Sequence, residues 1–171
     1  MLLLPLALVA ATGCGSDEEP TSGEEGEFVH VGETLYQVQL TRLLNPHQRP
    51  DDSLLKGQVA APADEVYLAV FLTIENNGDE PYSPPRDMKV VDTVGNEYLP
   101  LAAGQSGFEL DFGEPLNPEG VAPPANSPAD LAMPGALLLF RVKQESATNN
   151  LPLELEVPSG GKSISRIELD V

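Results

Sequence analysis

The core of this protein is predicted around the stretch Glu65-Val66-Tyr67-Leu68-Ala69-Val70-Phe71-Leu72-Thr73-Ile74-Glu75. Aliphatic residues recur at every second position from Val66 to Ile74, which is the periodicity of a β-strand. The alternate positions, which include Tyr67 and Phe71, are only partly polar. We therefore expect a central strand of a sheet, with both of its faces covered.

Seven further segments are predicted as strands. They are residues 34–44, 87–94, 97–101, 108–112, 136–142, 151–157 and 164–171. The chain also has 17 prolines and 15 glycines and no long stretch of helical periodicity. Short elements joined by turns are typical of an all-β domain, so we predict an immunoglobulin-like β-sandwich of about eight short, mainly antiparallel strands.

Two dipeptides predict tight turns. Gly95-Asn96 lies between two predicted strands and indicates a hairpin, and Asn77-Gly78 follows the central strand. The strand at 136–142 is the second most apolar one, and we expect it to form the layer opposite the central strand. Residues 113–130 contain five prolines and are predicted as an extended surface connection.

The alternation of residue types also predicts which side chains face the core. In residues 34–44, every second residue from Thr34 to Leu40 shares one face. In residues 108–112, the aromatic and aliphatic side chains should face inward and both carboxylates outward. Residues 151–171 are predicted as a half-exposed hairpin with its charged side chains in solvent.

The N-terminus resembles a bacterial export signal. Residues 2–11 form an apolar run, too short to span a bilayer, that ends in Ala11-Thr12-Gly13-Cys14. Cys14 is the only cysteine, and its position resembles a bacterial lipobox, in which the cysteine is lipidated and becomes the mature N-terminus. We predict residues 1–13 as a lipoprotein signal peptide and Cys14 as the lipidation site.

Two features of this region depart from that pattern. Ala11 stands where the lipobox prefers leucine, and no Lys or Arg precedes the apolar run. The alternatives are an ordinary signal peptide with an incidental cysteine, or a buried N-terminal strand.

An acidic segment follows Cys14. Between Cys14 and Glu27 the chain has six carboxylates and no cation, and too few apolar groups to offset the entropy of ordering. We predict a disordered tether over residues 14–32 and the sandwich domain over residues 33–171. The whole chain has a net charge of −18, which disfavours binding to nucleic acid or to anionic lipid surfaces.

Three parts of the chain carry a resemblance to a known family. They are the apolar strand ending in Glu75-Asn76-Asn77-Gly78-Asp79-Glu80-Pro81, the hairpin Val91-Asp92-Thr93-Val94-Gly95-Asn96-Glu97-Tyr98, and Pro134-Gly135-Ala136-Leu137-Leu138-Leu139-Phe140-Arg141-Val142. Together they resemble the DUF4352 group of extracellular immunoglobulin-like domains, which is related in fold to an immunoprotective secreted antigen of mycobacteria. The resemblance covers residues 33–171 and implies this fold, but it implies no catalytic residues.

Residues that could bind a transition metal are few and scattered. His30 and His47 have no neighbouring cysteine or acidic ligand motif, so no zinc site is predicted. With Met88 and Met133 they could form a copper site, although no His-x-Met or Met-x-Met spacing occurs. We predict no metal and no cofactor.

Carboxylates are the remaining candidates for chemistry. The segments 75–80 and 109–114 are rich in oxygen ligands but lack the ordered pattern of a calcium loop. Three pairs share a strand face, and exposed alternation accounts for all of them without a pocket: Glu109 with Asp111, Glu154 with Glu156, and Glu168 with Asp170. Because no Gly-x-Ser-x-Gly elbow or Gly-rich phosphate loop occurs, no enzyme is predicted.

The predicted function is that of a binding or accessory module of the bacterial cell envelope. We expect a monomer, attached to the extracytoplasmic face of the cell membrane through lipid at Cys14, with an envelope protein as its partner and no nucleic acid. The alternative is a copper-handling or enzymatic envelope protein whose site is assembled from residues distant in sequence.

Overall fold

Ten β-strands and two short helices form the described part of the chain, residues 21–171 of the computed structural model. The strands are β1 (Ser22–Glu24), β2 (Val29–Val31), β3 (Thr34–Leu44), β4 (Glu65–Asn76), β5 (Lys89–Val91), β6 (Glu97–Tyr98), β7 (Val121–Ala122), β8 (Ala136–Lys143), β9 (Leu153–Pro158) and β10 (Ile164–Leu169). The helices are α1 (Asp51–Leu54) and α2 (Pro128–Ala132). Neither helix in this range has the length and apolar character that crossing a membrane requires.

The strands form two sheets that pack face to face. The first sheet has the order β1-β10-β9-β5-β6, and the second has the order β2-β3-β4, with β8 and β7 both paired to the other side of β4. Every strand pair is antiparallel except β1 with β10. The predicted all-β, immunoglobulin-like sandwich is therefore confirmed.

The central position predicted for residues 65–75 is confirmed. Strand β4 lies between β3 and β8, and Val70 is paired with Thr41 on one side and with Leu138 on the other. One face of β4 lies in the main core between the two sheets and contributes the fully buried Leu68, Val70, Leu72 and Ile74. The opposite face is buried under a second apolar cluster that includes Leu54 and Leu55, because the loop containing α1 folds over the sheet.

The position predicted for β8 is wrong. Residues 136–142 were expected to form the layer opposite the central strand, but β8 is hydrogen-bonded beside β4 in the same sheet. The two strands carry apolar residues on both faces, so each needs cover on both sides, and neighbouring strands share the same two cores. The layer facing β4 is formed instead by the sheet that contains β9 and β10.

The prediction of which β3 side chains share one face is confirmed only from Thr34 to Val38. The register against β4 shifts between Val38 and Leu40, which marks a β-bulge. Beyond the bulge Thr41 is buried and Leu40 is 37% exposed, because one extra residue moves the following side chains to the opposite face.

The strand predicted at residues 108–112 does not form. The segment contacts the edge of β8 through a single bridge between Glu109 and Leu137. Leu110 is buried in the main core as expected, whereas Phe108 packs against the second cluster on the other side of the sheet. The predicted outward position of both carboxylates is also wrong for Glu109, which accepts backbone hydrogen bonds and is half-buried.

The folded unit begins before the predicted boundary at Glu33. Residues 21–32 were placed in the disordered tether, but β1 pairs with β10 and β2 pairs with β3. Val29 and Val31 are buried in the main core. Strands of three residues are too short for a periodic pattern, which explains why the sequence did not reveal them.

One of the two predicted turns is confirmed. Gly95 has a φ of 86° and lies in the hairpin that joins β5 to β6. Gly78 has no positive φ; its amide donates to Asn76 Oδ1 at 3.1 Å, and no hairpin follows β4. The chain continues to Tyr82, which pairs with Leu116.

The hairpin predicted at the end of the chain is formed by β9 and β10, but it is not uniformly half-exposed. Glu156 is only 9% exposed. Arg166 Nε lies 3.0 Å and Lys89 Nζ 3.4 Å from its carboxylate, because these two side chains extend over it from the neighbouring strands. The charged face of this sheet is therefore a network of ion pairs.

Candidate functional site

A half-open cavity of about 260 Å³ lies beside the proline-rich segment, at one end of the sandwich. Its walls come from Gly107, from residues 109–111, 114–117 and 120–124, from the start of α2, and from Ala136 at the start of β8. These segments are distant in sequence, so the cavity exists only in the folded protein.

The buried side chain of Asn76, at the end of β4, holds one wall of this cavity in place. Asn76 Nδ2 donates to the carbonyl oxygens of Leu116 and Glu80, both at 2.9 Å, and the Asn76 amide donates to Gly120 O at 2.9 Å. The five prolines of residues 113–130 have no N–H to donate, so this loop cannot form a regular ladder. Its carbonyl groups are instead bonded to the end of a central strand.

Helix α2 forms another wall. Ser127 Oγ accepts a hydrogen bond from the Asp130 amide at 3.2 Å, and Pro128 occupies the first turn, where its missing N–H costs nothing. Ala129 is buried and lines the cavity. The local sequence Ser127-Pro128 therefore explains why this five-residue helix begins here.

The floor of the cavity is apolar. Its buried side chains are Leu110, Ala122, Pro123, Ala129 and Ala136. Three of the five are alanines, whose small size leaves the space that a longer side chain would occupy. An apolar floor favours ligands that bring hydrocarbon out of water.

Three carboxylates, those of Glu109, Asp111 and Glu114, line the same cavity. Glu109 accepts hydrogen bonds from the amides of Ser106 at 3.1 Å and Gly107 at 2.9 Å. Burial acts to raise the pKa of Glu109, but its hydrogen bonds outweigh burial and the net pKa is lowered. This carboxylate is therefore negatively charged at neutral pH.

The other two carboxylates are less engaged. Asp111 Oδ1 accepts a hydrogen bond from the Gly113 amide at 2.6 Å. Glu114 is exposed and has no hydrogen-bond or ion-pair partner among residues 21–171. Acceptor oxygens thus remain available at the rim.

No Lys, Arg or His is among the described residues that line this cavity. A basic side chain, that of Arg86, contacts the neighbouring Phe112: it donates to Phe112 O at 3.0 Å and lies 5.3 Å from the Phe112 ring centroid. Arg86 belongs to a second, more open groove of about 520 Å³, and Glu109, Leu110 and Asp111 line both hollows. Residues 107–113 therefore form a ridge between an acidic cavity and a neighbouring groove.

The residues considered for copper are not brought together. Met88 is buried in the main core, whereas Met133 packs against the second cluster on the other side of the sheet. His30 lies on β2, and His47 is exposed in the turn before α1. Within residues 21–171, no three His, Cys, Asp or Glu side chains are grouped so that they could hold a metal ion. Cys14, the predicted lipidation site, lies outside the described residues.

The three carboxylate pairs have different surroundings. Glu109 and Asp111 line the cavity, which corrects the interpretation that no pocket is involved. Glu154 and Glu156 lie on either side of Arg166, 3.7 Å and 3.0 Å from its Nε. Glu168 and Asp170 are exposed next to β1 and do not line the cavity.

Asp92 is a buried carboxylate that sequence reasoning did not single out. It accepts hydrogen bonds from the Val94 and Asn96 amides and from three side chains, those of Asn96, Ser146 and Asn150. Burial acts to raise its pKa, but these donors outweigh burial and hold the pKa of Asp92 far below its usual range. The group connects the β5–β6 hairpin to the loop between β8 and β9, so its role is structural.

Several solved structures resemble this chain. No protein-family model and no curated protein sequence matches it. An uncharacterised β-sandwich protein from Clostridium difficile 630 has 12% sequence identity and a TM-score of 0.51, over 89% of this chain and 95% of that one. A conserved hypothetical protein from Bacillus anthracis has 13% identity and a TM-score of 0.53, over 84% and 93% of the two chains.

A third similar structure is the YjhA protein from Bacillus subtilis. It has 13% identity and a TM-score of 0.50, over 86% of this chain and 99% of that chain. At this level of identity the comparison establishes the β-sandwich fold alone. Since each of these proteins is covered over nearly its whole length, the likeness extends to the complete sandwich.

Proposed function

We propose that this protein is a non-catalytic binding module of the cell envelope and that the cavity beside residues 113–130 is its ligand site. The observation that carries the proposal is the combination of an apolar floor with three carboxylates, in a cavity bordered by no basic side chain of the described chain. Concave sites with an apolar lining and a few polar groups are the usual form of binding sites. The lining contains no His, Cys or Lys within residues 21–171. Its one hydroxyl, that of Ser127, caps α2, and the carboxylates of Glu109 and Asp111 accept backbone hydrogen bonds, so these groups have structural partners.

We also propose that the module is a lipoprotein related to the DUF4352 group, anchored through Cys14 on the extracytoplasmic side. The apolar run of residues 2–11 followed by the only cysteine supports the anchor. Strand β1 begins at Ser22, and the sequence between Cys14 and this strand contains the acidic residues Asp17, Glu18 and Glu19, so a short acidic segment would separate the lipid from β1. Several acyl chains are needed, because a single chain gives only marginal attachment.

Binding is tested by capture from a membrane-envelope extract. Residues 21–171 are immobilised and compared with the Ala129→Leu variant, in which a longer side chain fills part of the cavity. We expect a partner to be retained by the native domain and lost from the variant, with both domains melting cooperatively. Equal retention of that partner by both domains would show that the ligand site lies elsewhere.

Anchoring is tested by fractionation of cells that produce the full chain. We expect Cys14→Ser to move the protein out of the membrane fraction or to leave it unprocessed, because the acylated thiol is lost. Ser16→Ala is the matched control and should leave both the fractionation and the mature mass unchanged. Membrane association of Cys14→Ser with an unchanged mass would contradict the lipoprotein assignment.

A further inference from the structure

We infer that the cavity receives an arginine or lysine side chain from an extended segment of a partner protein. The inference rests on the proposed binding function and specifies its ligand. The side chain would place its aliphatic stem on the alanine-rich floor and its cationic head among Glu109, Asp111 and Glu114.

The size of the cavity favours an anchoring side chain over a whole small-molecule ligand. At about 260 Å³ it is smaller than the roughly 300–1,000 Å³ of ligand pockets that enclose most of a drug-sized molecule. Single side chains that fill a pocket at the centre of an interface are common in protein–protein recognition, and arginine is enriched among them.

The charge of the surrounding chain favours a cation. From Val90 to Phe140 the sequence contains no Lys or Arg but seven acidic residues: Asp92, Glu97, Glu109, Asp111, Glu114, Glu119 and Asp130. The rim carboxylates therefore have no cation of their own segment to neutralise them. The negative electrostatic field of these carboxylates attracts a positively charged ligand and increases its rate of association.

The lining also distinguishes between kinds of cation. No aromatic ring is among the described residues around this cavity, so the cage that recognises quaternary ammonium groups is missing. Carboxylate oxygens instead accept N–H hydrogen bonds, and a guanidinium group can bind two oxygens at once. The cation should therefore carry N–H donors.

The groove on the other side of the ridge formed by residues 107–113 favours a polypeptide over a free cation. That groove contains the apolar Leu101 and Phe112, and it shares Leu110 with the cavity. An extended segment that crosses the ridge can place a basic side chain in the cavity and a neighbouring apolar side chain in the groove. A small cation would occupy only the cavity and would leave the groove empty.

The test uses acetylated and amidated peptides Gly-Leu-Arg-Leu-Gly and the same peptide with citrulline, which keeps the shape of arginine but has no charge. Binding to residues 21–171 is measured by calorimetry, and chemical shifts of Leu110, Ala122 and Ala136 report occupation of the cavity. We expect the arginine peptide to bind at least about tenfold more tightly than the citrulline peptide, because the charge-assisted hydrogen bonds are lost. The Asp111→Asn/Glu114→Gln variant should remove this difference.

A matched control removes two carboxylates elsewhere. Glu24→Gln/Glu168→Gln changes the net charge equally at the exposed β1–β10 edge and should preserve the tenfold preference. Equal binding of both peptides, or equal loss in both variants, would overturn the charge assignment. Agmatine binding as tightly as the arginine peptide would overturn the assignment to a polypeptide.

The inference can fail while the proposed binding function stands. If neither peptide shifts the cavity resonances but a partner is captured by the native domain and lost from Ala129→Leu, the cavity binds a ligand of another class. If capture also fails to depend on Ala129, the proposed site itself is wrong.

Discussion

At the scale of single residues, two buried polar side chains hold the loops of the sandwich together. Asn76 bonds the proline-rich loop to the end of β4, and Asp92 bonds the β5–β6 hairpin to the β8–β9 loop. Both groups make several hydrogen bonds, which offset the cost of burying a polar group. Removal of the Asp92 carboxylate would leave buried donors without an acceptor, and removal of the Asn76 side chain would leave the Leu116 and Glu80 carbonyl oxygens without their donor. Either loss is more costly than loss of an exposed hydrogen bond.

Asp92→Asn is expected to lower the free energy of unfolding by at least about 2 kcal/mol at pH 7, because several donors face the lost carboxylate. The pKa of Asp92 is lower in the folded state than its ordinary value of 3.8, so its stabilising effect is present above about pH 4. The effect is lost as the pH falls toward the lowered folded pKa, where the native carboxylate also takes up a proton. The difference between the native domain and the variant in urea denaturation should therefore shrink below pH 4.

Asp87→Asn is the control for this experiment, since Asp87 is an exposed aspartate near the same hairpin. We expect a change within about 0.5 kcal/mol at every pH. A difference between the native domain and Asp92→Asn that is constant from pH 7 to pH 2 would show that the Asp92 charge does not contribute.

At the scale of elements, β4 is the central strand of the second sheet. It is paired along its length with β3 and β8, and its two faces contact different apolar clusters. The end of the same strand supplies Asn76 to the cavity wall. The candidate site is therefore attached to the most constrained strand of the second sheet.

Val70→Asp is expected to abolish cooperative folding, because an unpaired carboxylate would be buried in a domain with about 5–15 kcal/mol of net stability. Glu154→Lys is the comparison on an outer face, where the side chain is 42% exposed and pairs loosely with Arg166. We expect it to change stability by no more than about 1 kcal/mol. Equal denaturation midpoints for the two variants would contradict the central position of β4.

A second prediction at this scale concerns the contribution of strands β1 and β2 to stability. A chain of residues 21–171 should unfold cooperatively, whereas residues 33–171 should lose several kcal/mol, because Val29 and Val31 each contribute about 1.5–3 kcal/mol when buried. Thermal and urea denaturation of both chains is the measurement. Equal stability would place β1 and β2 outside the cooperative unit.

At the scale of the whole molecule, a two-layer sandwich carries a strong excess of negative charge. The whole chain has a net charge of −18, and the apolar interior of residues 21–171 is divided between the space separating the sheets and the outer cluster under α1. Such a molecule repels its own copies and attracts cations. These two effects agree with a monomer that recognises a basic partner.

We predict that residues 21–171 are monomeric at pH 7 and low ionic strength. Sedimentation velocity at increasing protein concentration checks this. We expect the protein to remain a monomer when salt is added, because the folded chain requires no apolar interface with a second copy. A dimer that persists at low salt, where repulsion is strongest, would contradict the prediction.

The fold class, the central strand and the final hairpin could be predicted from the pattern of amino acids alone. In these elements a repeat of two residues extends over six positions or more, which identifies the strands, although the middle of β4 and Glu156 in β9 are buried on both faces of their sheets. The hairpin at Gly95 was also predictable, since a positive φ angle is a local requirement.

The bulge in β3, the positions of β1 and β2, and the pairing of β8 beside β4 could not be predicted from local sequence, because they depend on contacts between distant parts of the chain. The same is true of the cavity. Asn76 and Leu116 are 40 residues apart in the chain, and Asp92 and Ser146 are 54 apart. Local patterns report burial but not the partner, because the same apolar residue is equally stable against any complementary surface. Contacts between distant residues therefore form the site, and they arise only when the two sheets and their loops have packed together.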